Sequence, residues 1–60
     1  MKAFKLKYES GEFETVYGES SLEIVRRYDL ATKKHINTRI FELSGEQLAL
    51  ALADYNDSIS

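Results

Sequence analysis

The chain has no cysteine and no proline, and it holds one histidine and three glycines in sixty residues. Without Cys there is no disulfide and no thiolate metal site. That fits a reducing compartment, so the expected location is the cytoplasm of the producing or host cell. One His cannot by itself build a structural zinc site. No stretch reaches the roughly 18 apolar residues of a membrane span. Met1-Lys2-Ala3-Phe4-Lys5 lacks an uninterrupted apolar run, so no signal peptide is expected either. Nothing reads as a linker, a repeat or a low-complexity tract. Residues 1–60 therefore form one domain. Such a domain buries only about 60% of the surface of its unfolded chain, so its stability is thin. The 43% hydrophobic content is still too high for a disordered chain.

Catalytic signatures are also missing. His35 lies in Lys33-Lys34-His35, with no recognisable acid, base or nucleophile set against it. Asp54 and Asp57 share a helical face at i,i+3, but without a concave pocket they read as solvating groups. Gly45 alone is no phosphate loop. No enzymatic activity, metal or cofactor is expected.

What is present begins with a β-hairpin over Phe4–Tyr17. Phe4, Leu6 and Tyr8 alternate with Lys5 and Lys7, the period-2 pattern of a half-buried strand. Phe13-Glu14-Thr15-Val16-Tyr17 is rich in aromatic and β-branched types. With Ser10-Gly11 at the loop centre, Tyr8 faces Phe13, Lys7 faces Glu14, Leu6 faces Thr15, Lys5 faces Val16 and Phe4 faces Tyr17. Phe4, Leu6, Tyr8, Phe13, Thr15 and Tyr17 then share one face, to be covered by other elements.

Ser20 and Glu23 have capping-box spacing, so a helix starts near Ser21. It runs to Tyr28 or on to Lys33. Lys33, Lys34 and His35 would suit a helix C-terminus and Asp29 would not, which favours the longer form. Ile36–Leu43 is the third strand. Its alternation breaks at Ile40-Phe41, which implies a bulge or partial cover on both faces. Ser44-Gly45-Glu46-Gln47 opens a second helix, in which Leu48, Leu52 and Tyr55 line one face. It ends at Asn56-Asp57-Ser58. Leu50 points roughly 200° from Leu48 at about 100° per residue.

The order β-β-α-β-α describes an α+β fold. Its three-stranded sheet has the order 2-1-3, and two helices cover the aromatic face. Strand 3 is antiparallel to strand 1 after a right-handed crossover. Both outer strands are open edges, templates for another strand unless blunted.

Charge is unevenly placed. All eight Lys and Arg, with six acids, fall within residues 1–39, while residues 40–60 hold four acids and no base. Arg26, Arg27, Lys33, Lys34, His35 and Arg39 form a basic cluster in sequence. It fits an acidic protein surface or, alternatively, the phosphates of a nucleic acid. The plainer reading is a solvated face. Tyr8, Tyr17, Tyr28 and Tyr55 read as core first and interface anchors second. An exposed Leu50 offers a strip for homodimerisation.

Phe4–Ile40 resembles the small inhibitors of bacterial host RNA polymerase made by some lytic phages. The features that carry the likeness are the alternating hairpin, Val16-Tyr17-x-Glu19-Ser20 leading into a capped helix, and Thr38-Arg39-Ile40 on the next strand. The resemblance implies that basic side chains on the third strand grip an acidic polymerase surface. Only Arg39 matches. Phe41 stands where a second Arg is expected, and the C-terminal helix is extra. The chain is thus expected to be a non-enzymatic protein-binding module. Its concrete form would be a phage or mobile-element accessory protein that modulates a host enzyme through Arg26, Arg27, Lys34 and Arg39.

Overall fold

The computed structural model describes residues 1–59. Strands β1 (Lys2–Lys7), β2 (Phe13–Gly18) and β3 (Arg39–Glu42) form one sheet in the order β2-β1-β3, with both pairings antiparallel. Helix α1 (Ser21–Arg27) follows β2. A single 3-10 turn at Lys33–His35 precedes β3, and helix α2 (Gly45–Ile59) closes the chain. This is the α+β arrangement and strand order expected from the sequence. Among the described residues no helix is long and apolar enough to cross a membrane.

The hairpin register differs from the expected one by a single residue. Lys7 faces Phe13, Lys5 faces Thr15, Phe4 faces Val16 and Ala3 faces Tyr17. The cause is the loop. The Gly11 amide donates to the Tyr8 carbonyl and the Tyr8 amide to the Glu12 carbonyl, both at 2.9 Å. Gly11 has φ +91°. The loop is therefore Glu9-Ser10-Gly11, a three-residue turn closed by a glycine bulge, in place of a two-residue loop centred on Ser10-Gly11. Because the side-chain period is two, that residue carries all of β2 to the other face. Phe13, Thr15 and Tyr17 leave the face of Phe4 and Leu6, and Val16 and Glu14 replace them. Lys7 and Glu14 do not pair. Gly11→Ala is expected to lower stability by about 1 kcal/mol, read as the shift in a urea midpoint, because the left-handed backbone is costly for any residue with a Cβ. Nothing lies within 4 Å of the added Cβ, so backbone strain is the whole effect.

The slip divides the apolar residues between two cores, and the helices follow them. Phe4, Leu6, Val16 and Ile24 are buried together, with Tyr8, Tyr28, Leu30 and Ile40 against them. Ala3, Leu43 and Ala51 form a second cluster with Tyr17 and Leu48. Ala3 and Phe4 are adjacent in β1 and so point to opposite faces. Helix α1 therefore covers one face and α2 the other, rather than both sharing one. The broken alternation of the third strand is explained the same way: Ile40 packs toward α1 and Leu43 toward α2.

Helix α1 starts as its spacing implies. The Ser20 hydroxyl accepts from the Glu23 amide at 3.2 Å, and the Glu23 carboxylate accepts from the Glu19 amide at 2.6 Å. It stops at Arg27, six residues short of the longer alternative. Asp29 has φ +56°. The Leu30 amide reaches back to the Val25 carbonyl at 2.9 Å and the Asp29 amide to the Arg26 carbonyl at 3.4 Å. This is a Schellman ending with Asp in the glycine position, a conformation that short polar side chains tolerate. Leu30 then folds onto the Ile24 core, which outweighs the unfavourable charge of Asp29 at a helix end. Strand β3 is shorter than expected at its start. Ile36 lies outside it and is 76% exposed. Helix α2 runs to Ile59, beyond the expected end at Asn56–Ser58. Its inward side carries Ala51, with Leu48, Leu52 and Tyr55 half-buried. The Tyr17 hydroxyl donates to the Ala51 carbonyl at 3.0 Å, and the Tyr17 and Tyr55 rings lie 4.8 Å apart.

Candidate functional site

The register sets out three rows of side chains on the α2 side of the sheet. The first is Phe13, Lys7 and Arg39; the second is Thr15, Lys5 and Phe41. The third is Tyr17 and Ala3, joined by Leu43, whose amide donates to the Ala3 carbonyl at 2.9 Å. Helix α2 buries the third row only. The other two rows remain open, with Phe13 56% and Phe41 51% exposed. The Lys5 and Lys7 ammonium groups lie 5.5 and 5.7 Å from the centre of the Phe13 ring. That is within cation–π range, worth about 0.5–1 kcal/mol at an exposed site. Two strand spacings and one pleat separate Phe13 from Phe41, roughly 12 Å at the backbone.

Three of the four strand Lys and Arg side chains lie on the face opposite the strand carboxylates, Lys2 being the exception. Lys5, Lys7 and Arg39 project from the open half, whereas the strand carboxylates Glu14 and Glu42 belong to the opposite parity, with Leu6 and Phe4. The open half is thus cationic and aromatic although the chain as a whole carries −2. Such a surface attracts an anionic partner electrostatically and offers two flat apolar rings for contact.

The residues expected to bind a partner do not come together. Arg39 stands on the open half. Arg26 and Arg27 are on α1, which covers the other face. The Arg27 guanidinium is engaged within the fold, since it donates to the Tyr17 carbonyl at 2.8 Å and pairs with Glu23. It therefore shields a stretch of the β2 edge. Arg26 borders a shallow groove with Leu22 and Ser20. Lys34 sits in the 3-10 turn, near the hairpin loop. There the His35 ring lies 6.3 Å from Tyr8, and Asn37 donates to Glu9 at 3.1 Å. Lys5, Lys7, Phe13 and Phe41 are the members sequence reasoning missed. The three-residue loop with Gly11 in third position was the signal that would have found them. Leu50 is 62% exposed, on the flank of α2 next to buried Ala51 and Leu43.

On the opposite face the Tyr8 hydroxyl donates to Glu14 at 3.1 Å. Burial pushes its phenol above the ordinary value, and the hydrogen bond to Glu14, that carboxylate's charge and Tyr28 add to the rise. Folding thus favours the protonated phenol. This stabilisation is complete below the unfolded tyrosine value near 10 and is lost as pH rises through the higher folded value. Urea midpoints are expected to fall as pH rises from about 10 through the folded value, and to fall less in Tyr8→Phe.

Among the described residues no group of three or more His, Asp or Glu is placed to hold a metal ion. A scan against protein-family models and searches of curated proteins and of solved structures each found no match.

Proposed function

We propose that this chain is a non-enzymatic module that binds an acidic surface of another protein through the open half of its sheet. The observation that carries the reading is the placing of Lys5, Lys7 and Arg39 around Phe13 and Phe41, with both strand carboxylates on the other face. The resemblance of Phe4–Ile40 to phage inhibitors of host RNA polymerase supplies its concrete form. That form is an accessory protein of a phage or mobile element, acting on a host enzyme in the cytoplasm. A second reading, single-stranded nucleic acid, is favoured by the interleaved rings and cations, since bases stack on aromatics while phosphates meet Lys and Arg.

Affinity capture from a host extract, run beside oligonucleotide titrations, separates the two. The protein reading expects a captured partner that is lost when Lys7 and Arg39 are both changed to Glu and kept in Arg26→Glu. Micromolar binding to single-stranded oligonucleotides with a steep log–log salt slope would replace it with the nucleic-acid reading.

A further inference from the structure

A groove of about 220 Å3 runs between the open half of the sheet and α2. Leu43 and Ala51 are buried at its base; Lys5 and Thr15 border it from the sheet, Gln47 and Leu50 from the helix. Its volume falls below the roughly 300 Å3 at which cofactor-sized pockets begin, so it suits one side chain. Asp54 also borders it and offsets Lys5, which leaves apolar contact as the groove's own contribution. Lys5 belongs both to the groove and to the second row of the open half, so the two form one continuous surface.

We infer that the partner presents an acidic polypeptide segment bearing one large apolar side chain. That side chain seats against Leu43, Leu50 and Ala51 while neighbouring carboxylates reach Lys7 and Arg39. The inference rests on the reading of the open half as a surface for acidic protein. It adds the anchor, which accounts for a leucine exposed among Glu, Gln, Ala and Asp on α2. An apolar side chain in a desolvated notch, rimmed by charge, is the usual division of labour at a protein interface.

The test is selection of random displayed peptides on the intact chain, followed by titration of the recovered sequences. The expected peptides carry a large apolar residue flanked by Asp or Glu. Their affinity should fall at least tenfold when that residue becomes Ala, and equally in Leu50→Asp. Because Leu50 is exposed, thermal melts of Leu50→Asp should match the parent; Leu50→Ala, which keeps helix propensity, is the second variant. Acidic peptides that ignore both changes yet fail on the Lys7→Glu/Arg39→Glu chain would overturn the anchor and leave the acidic-surface reading standing. Recovery of no peptides, or of basic ones, would overturn both, as would displacement of the peptides by oligonucleotides with a steep salt slope. Sedimentation showing a dimer at micromolar concentration that Leu50→Asp abolishes would make a second copy the occupant and overturn the inference.

Discussion

Phe4→Ala should forfeit about 3–5 kcal/mol of stability, while Phe13→Ala should melt close to the parent. Both residues are strand phenylalanines in the same hairpin, and only the register separates them. Phe4 is fully buried against Leu6, Val16 and Ile24. Truncating a buried Phe costs about 3–5 kcal/mol, through lost transfer energy and the cavity left behind. A sixty-residue chain is stable by roughly 3–9 kcal/mol in total. The loss is thus at least about a third of the whole. Phe13 is more than half exposed, so its truncation forfeits little beyond two surface cation–π contacts, on the order of 1 kcal/mol. Urea titrations followed by circular dichroism read the difference directly. Equal losses in the two variants would place both rings in one core and contradict the structure.

The second large effect is on binding. Lys7→Glu combined with Arg39→Glu should weaken the acidic partner on the order of 100-fold, about 2.7 kcal/mol, and should steepen no melt. Lys7 and Arg39 are adjacent partners in one row, and both are exposed. Reversal turns two attractions into two repulsions, and like charges placed together at an interface cost several kcal/mol. Surface charges contribute little to folding, and the lost Lys7–Phe13 contact is small, so stability should stay within about 1 kcal/mol of the parent. Surface plasmon resonance at two salt concentrations measures it: the parent should lose affinity as salt rises, and the double variant should not. Unchanged affinity in the double variant would remove the open half of the sheet from the binding surface.

Much of the fold was legible because local signals agreed with one another. The capping residues Ser20 and Glu23 marked the first helix, the Lys/Phe/Leu alternation marked β1, and the β2-β1-β3 order followed from a hairpin and one crossover. Besides the element ends at Ile36 and Ile59, two features were not legible, and each turned on a single residue. Gly11 allows either a two-residue or a three-residue loop, and the aromatic pairing of Tyr8 with Phe13 favoured the former. What decides for the latter is tertiary: the slip brings Val16 under Ile24 and frees Tyr17 to meet Ala51 and Tyr55. Asp29 was the other. As a charge it opposes a helix end, but as a left-handed residue it makes one. The site followed the first of these. Sequence proximity gathered Arg26, Arg27, Lys34 and Arg39, whereas pairing across the sheet gathers Arg39 with Lys5 and Lys7.

The most direct test is a set of cross-strand Hα–Hα NOEs in the hairpin. In antiparallel pairs that exchange no backbone hydrogen bonds, the α-carbons approach most closely, to about 4.5 Å. The Tyr8–Glu12 hydrogen bond places Lys7–Phe13, Lys5–Thr15 and Ala3–Tyr17 in that class. Strong cross-peaks for these three pairs are expected. Cross-peaks joining Tyr8 to Phe13, or Phe4 to Tyr17, would return Phe13 to the face of Phe4, and the cationic, aromatic half-sheet would not exist.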